Sequence, residues 1–181
     1  MLWLLFLAAI ILLVILVFLA EEFFNLFFRG YAPVVGSASR ALDIAIEQFN
    51  QLQLPAGAKI YELGCGQAGF LRRLEKSAKN KYALVGVELI SSIYWLAKIQ
   101  LGLAKSKINL QRQDFLKMNL AQGDCFYCYL NQAAMVKLAF KLKAEAKSGA
   151  YVISNQFYLP GYEPIMEQEI SVGQAMRVYK I

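Results

Sequence analysis

The sequence predicts an α/β fold: a mainly parallel sheet with helices on both faces, closed by a C-terminal antiparallel hairpin and preceded by one apolar helix. Three observations predict it. Residues 1–20 (MLWLLFLAAIILLVILVFLA) are all apolar. From residue 37 onward, stretches with strand character alternate with stretches of helix character across short connections, the pattern of parallel strands joined by crossover helices. A glycine-rich turn, Gly64-Cys65-Gly66-Gln67-Ala68-Gly69, joins the first strand to the helix that follows.

At about 1.5 Å per residue, the apolar run makes a helix close to the ~30 Å hydrocarbon thickness of a bilayer. It carries no Lys or Arg, exceeds a signal-peptide core in length, and ends in Leu-Ala-Glu-Glu without a small-x-small site. It is therefore expected to be a single-pass membrane anchor. Phe23, Phe24, Phe27 and Phe28 recur at helical spacing and suit the headgroup level. Residues 1–30 are thus read as anchor plus interfacial aromatic segment, and 31–181 as one domain. Arg29 and Arg40 lie on the C-terminal side of the run, which places the domain on the cytoplasmic side. The linker, Gly30 to Gly36, is short, so the domain is expected to sit close to the bilayer.

The elements follow in order. Ser37 or Ser39 can cap a helix to about Leu52, with Leu42, Ala45, Ile46, Phe49 and Leu52 as its apolar stripe. Pro55-Ala-Gly57 ends it. Lys59–Leu63 reads as a buried strand, Phe70–Lys79 as a helix, Tyr82–Leu89 as a strand and Ser91–Leu103 as a helix. Ile108–Gln113 and Cys125–Leu130 are strands, Gln132–Lys147 is a helix, and Ala150–Ser154 is a fifth strand. Glu169–Val172 and Met176–Ile181 flank a Gly173-Gln174 turn as the terminal hairpin.

Composition excludes several classes. A chain that is 58% hydrophobic and 18% charged is not disordered. With no histidine, it has no His-ligated metal, His general base or Ser/His/Asp triad. Cys125-Phe-Tyr-Cys128 imitates a metal motif, but residues three apart on a strand face opposite ways, so buried reduced thiols and no metal are expected. From Tyr31 on there are 18 Lys/Arg and 11 Asp/Glu, since residues 1–30 hold one of the 19 basic and two of the 13 acidic residues. The basic excess lies between Arg72 and Lys147, scattered over helix surfaces as in Lys137, Lys141 and Lys143. That fits attraction to anionic lipid headgroups, with nucleic acid not expected as a partner.

The chemistry points to the strand–glycine loop–helix. In an open parallel sheet, ligands bind beyond the carboxyl ends of the strands at the switch in strand order. Gly64-x-Gly66-x-x-Gly69 follows the first strand. Glu88, near the end of the second, can accept the hydroxyls of a ribose. This serves a nicotinamide dinucleotide and S-adenosylmethionine alike. Two features favour the latter. Glu62 would repel a pyrophosphate but suits an amino group and a sulfonium charge. Asp114-Phe115, after the third strand, can accept from an adenine amino group.

At these residues the chain resembles the class I S-adenosylmethionine-dependent methyltransferases, with their Rossmann-like sheet. Glu62-Leu-Gly64-Cys65-Gly66 matches the family's first motif, Glu88 its ribose acid and Asp114 its adenine acid. The resemblance implies a cofactor site of Glu62, Gly64, Cys65, Gly66, Gln67, Glu88, Asp114 and Phe115. Pro33, Val85-Gly-Val-Glu88-Leu, Trp95, Tyr129-Leu and Ser154-Asn-Gln-Phe157-Tyr-Leu-Pro160-Gly161 extend it to the ATP synthase c-subunit lysine N-methyltransferases and their prokaryotic relatives. The family commonly has Asp-Gly where this chain has Gln67-Ala68. Tyr129 and Asn131, after the fourth strand, are expected to orient the methyl acceptor; core packing for the first and helix capping for the second are the alternatives. By resemblance, the acceptor is a lysine of a small membrane protein. A lipid or quinone headgroup, or a non-catalytic binding module, would share the same cofactor residues.

Overall fold

The computed structural model describes residues 2–29, 38–78 and 81–181, with side chains of the first segment described through Glu21. The chain divides into two compact units, Met1–Val35 and Gly36–Ile181. The phenylalanines at 23, 24, 27 and 28, the Gly30 to Gly36 linker with Pro33, and the Ser37 cap lie outside the described side chains.

The first unit carries one helix, α1 (Leu2–Arg29). Its stretch Leu2–Glu21 has a mean hydropathy of 3.4 and is long and apolar enough to cross a membrane. By those measures alone, a signal sequence would pass as well.

The second unit holds α2 (Ser39–Gln51), β1 (Lys59–Leu63), α3 (Gly69–Ser77), β2 (Ala83–Glu88), α4 (Ser91–Leu103), β3 (Asn109–Arg112), β4 (Cys125–Cys128), α5 (Gln132–Glu145), β5 (Tyr151–Asn155), β6 (Met166–Ser171) and β7 (Gln174–Lys180). The strands form one sheet in the order β3-β2-β1-β4-β5-β7-β6. β1 to β5 pair in parallel, and β7 pairs antiparallel with both β5 and β6. The chain steps from β1 outward through β2 to β3, then returns to the other side of β1 with β4, so the switch in direction falls between β1 and β4.

β1, β2, β4, β5 and β7 are buried on both faces, and their side chains divide between two cores. Ile60, Cys125, Tyr127 and Ile153 pack with α2, α3 and α4. Leu63, Val87, Phe126, Cys128 and Val152 pack with α5. On the first face Phe70 of α3 stacks on Tyr127 of β4, ring centroids 4.3 Å apart. The period-2 alternation of a strand places Cys125 and Cys128 in different cores, so the two thiols cannot meet. Burial pushes the Cys128 thiol up to about 12 and the Cys125 thiol higher still. Helix α2 covers the antiparallel end of the sheet, packing against α3, β5, β6 and β7.

Element bounds differ from the expected ones chiefly at the hairpin. It starts three residues earlier, at Met166, because Met166, Gln168 and Ile170 alternate inward while Glu167 and Glu169 point out. An outward row of acids on an edge strand discourages pairing with another chain, and it hides the strand in the sequence.

Candidate active site

The loop after β1 must reverse direction within a few residues, and its backbone shows how. Gly64 and Gly66 take φ of +67° and +54°. A Cβ on Gly64 would meet Leu130 Cδ2, beyond β4, at 2.9 Å, so a side chain there is opposed by the backbone conformation and would also require Leu130 to shift. Nothing lies within 4 Å of the corresponding position on Gly66, which leaves its backbone open to a ligand. The third left-handed position is filled by Ala68 (φ 56°, ψ 46°), fully buried at the start of α3. An alanine there costs about 1–2 kcal/mol relative to a right-handed conformation. Gln67 is exposed at the tip of the turn.

Glu88 ends β2, buried, against this loop. Its Oε2 accepts from the Gly66 N–H at 2.9 Å, and Oε1 accepts from the N–H groups of Leu89 and Ile90, both at 2.8 Å. Three backbone donors therefore orient one carboxylate and lock the end of β2 to the glycine loop. The Gln113 N–H donates to the Glu88 carbonyl at 3.1 Å, bringing the end of β3 alongside. There Asp114, half-buried, accepts from the Leu116 N–H at 2.9 Å and forms a tight turn. Phe115 is half-buried against the core on the α5 side. The sheet thus brings the loop, Glu88 and Asp114 together along the carboxyl ends of β1, β2 and β3.

Glu62 is placed differently from the loop residues around it. On β1 it shares a face with Ile60, toward α3, while Tyr61 and Leu63 face α5. Its two oxygens accept from the N–H groups of Phe70 (3.3 Å) and Leu71 (3.0 Å) in the first turn of α3. A carboxylate at a helix N-terminus satisfies donors that the helix leaves open and complements its dipole. Burial nevertheless pushes the Glu62 carboxyl up to about 8; the two N–H groups pull it down, and the charge of Glu88 adds to the rise. Cys65 is buried between these acids, and burial followed by the charges of Glu62 and Glu88 drives its thiol well above the usual range. It is a packing residue with little thiolate character.

Across the switch point, the residues after β4 line the other side. The Asn131 side chain caps α5, accepting from the Ala134 N–H at 2.9 Å. The Tyr129 hydroxyl donates to Gln156 Oε1 at 3.1 Å. Gln156 has no counterpart among the sequence-derived site residues. It follows β5 with φ at +77°, an uncommon conformation for a residue with a side chain. Its carbonyl accepts from Arg177 Nη1 at 2.7 Å. The buried Arg177 guanidinium also lies 3.6 Å from the centre of the Tyr158 ring and pairs with Glu167 at 2.8 Å. The available signal was a lone arginine within the apolar strand Ala175-Met-Arg177-Val-Tyr179.

Residues 62–166, more than half of the chain, match a family model described as the ANTKMT methyltransferase domain. No curated protein matches the sequence. Among solved structures, the fold is similar to an RNA methyltransferase from Salinibacter ruber in complex with S-adenosyl-L-homocysteine: 17% identity, TM-score 0.71, covering 81% of this chain and 94% of that one. It is also similar to a SAM-dependent methyltransferase from Aquifex aeolicus (15% identity, TM-score 0.63, 80% and 94% covered). A methyltransferase from Pyrococcus furiosus aligns at 12% identity and TM-score 0.60, covering 90% of this chain and 95% of that one.

Proposed function

Since the chain belongs to the ANTKMT methyltransferase domain family, we propose that it is a membrane-anchored methyltransferase whose acceptor is a lysine of a small membrane protein. That it is a methyltransferase using S-adenosylmethionine follows from the family and the fold. The anchor and the acceptor are the finer reading. The observation that supports the cofactor site is the Glu88 carboxylate held 2.9 Å from the Gly66 N–H at the mouth of the loop; the candidate span supports the anchor, and the family resemblance supports the acceptor.

The residues fit the cofactor. An open glycine backbone at Gly66 admits a ligand to the main chain, and a buried acid faces it where ribose hydroxyls need acceptors. Asp114 lies at the next strand end, suited to the adenine amino group. Gly64, Cys65, Gln67 and Phe115 shape the wall. Glu62 contributes by fixing α3, and with it the loop. The cofactor supplies a methyl group already activated on a cationic sulfur, so no residue need protonate a leaving group. What remains for the chain is to hold an acceptor in line and to exclude water. Tyr129 and Asn131, after β4, are the groups assigned to orient the acceptor. An amine acceptor must be neutral, which a desolvated pocket favours.

The test is transfer of a labelled methyl group from S-adenosylmethionine onto membranes of the source cell, followed by mass spectrometry. Label in a lysine of a small membrane protein is expected. Label confined to a lipid or quinone fraction would replace the lysine assignment, and no label at all would contradict catalysis.

A further inference from the structure

Helix α4 turns Ile93, Ala97 and Leu101 into the core. On its other side, Trp95, Leu96, Ile99 and Leu103 are 57%, 42%, 59% and 82% exposed. The spacing i, i+1, i+4, i+8 gathers them into one stripe about 12 Å long. Four large apolar side chains in a row on one helix face mark a surface that is covered in use. The Trp95 ring is steadied edge-on by Tyr94, with ring centroids 5.3 Å apart.

The border of the stripe is basic. Lys98 is exposed beside Ile99, and Lys105 and Lys107 are exposed just past the helix end. On α3, Arg72 donates to Gln100 Oε1 at 3.4 Å, which sets a guanidinium along the other edge. The nearby acid, Glu75, is taken up by the Ser106 hydroxyl and the Lys107 N–H. Apolar residues with an aromatic anchor, flanked by long cationic side chains, are the make-up of a helix that lies in a lipid headgroup layer. The flanking charge favours an anionic leaflet.

The geometry points to α4 as a lipid-docking face that seats the domain flat on an anionic membrane surface. This rests on the membrane-anchored reading above and adds a consequence for the site. In a parallel sheet the crossover helices start at the carboxyl ends of the strands. Trp95 therefore lies one turn from the Glu88 end of α4, and a domain seated on this stripe holds the rim of its loop side beside the bilayer surface. An acceptor group protruding from the membrane would need no large excursion to reach it.

The chain has two tryptophans, Trp3 and Trp95, so Trp3→Phe leaves Trp95 as the sole reporter. The full-length Trp3→Phe chain is placed in vesicles of equimolar phosphatidylcholine and phosphatidylglycerol whose acyl chains carry bromine near the headgroup. Bromine at the depth an interfacial helix reaches should quench Trp95 emission at least about two-fold relative to unbrominated vesicles. Adding Ile99→Glu and Leu103→Glu, both at exposed positions, should abolish the quenching while the chain still floats with the vesicles. A floating chain whose Trp95 emission is solvent-like and unquenched overturns the docking face alone. Blue-shifted but unquenched emission overturns it in favour of a second copy of the chain. A chain that does not float overturns the anchored reading itself.

Discussion

A buried carboxyl can be held in place by the chain's own backbone N–H groups. Glu62 accepts from two N–H groups of α3 and is buried, with its carboxyl pushed up to about 8 from an ordinary 4.5. A raised folded-state value means that the folded chain holds this proton more tightly than the unfolded chain does. The stabilisation is therefore full below about 4.5 and is lost as the pH rises toward 8. The wild-type melting temperature should fall across that window relative to Glu62→Gln, measured in parallel by calorimetry. A difference between the two that does not change with pH would refute the assignment. Ala68 offers a second residue-level test. Its left-handed backbone is the one such position in the loop without a glycine. Ala68→Gly should leave stability within about 0.5 kcal/mol of wild type, because the ~1–2 kcal/mol of strain relieved is offset by the ~0.5–1 kcal/mol of added freedom in the unfolded chain and the ~0.8 kcal/mol of the buried methyl lost. A denaturant titration reads this directly. At this scale the sequence was legible in part. Gly64, Gly66 and Glu88 carry their roles in residue type and spacing. The orientation of Glu62 and the backbone of Gln156 do not, because they depend on which helix covers a strand face and on contacts made from β7.

Among elements, α5 separates two roles that its capping residue could combine. Asn131 caps the helix through its carbonyl oxygen; its amide N–H groups are what would orient an acceptor. Asp is as good a cap as Asn but lacks those donors. Asn131→Asp should therefore keep stability within about 0.5 kcal/mol of wild type while methyl transfer falls. If transfer is unchanged, Asn131 is a cap alone. Strand and helix bounds were legible where periodicity is strong: β1 and α4 have the expected ends. The hairpin was less so, because Glu167 and Glu169 make β6 look like a polar loop. Helix α2 also does more than its sequence announces. Its apolar stripe predicts a buried face, but only the strand order reveals that the face spans the antiparallel edge.

In the molecule as a whole, the functional arrangement follows from topology more than from any one motif. The order β3-β2-β1-β4-β5-β7-β6 puts the glycine loop, Glu88 and Asp114 on one side of the switch point and Tyr129, Asn131 and Gln156 on the other. The alternation of strands and helices made a mainly parallel sheet readable from the sequence but not the order of its strands, and the solved structures share the fold. The central claim is that Glu88, held by the Gly66 N–H, forms the nucleoside grip of that site. Calorimetric titration of the full-length chain with S-adenosylmethionine, wild type beside Glu88→Ala with both melts checked first, tests it most directly. Saturable wild-type binding, weakened in the variant by about 1.5–3 kcal/mol or roughly 10- to 150-fold, is the predicted result. Equal affinity in the two proteins, or no heat and no thermal shift from the wild type at ~1 mM ligand, would contradict it.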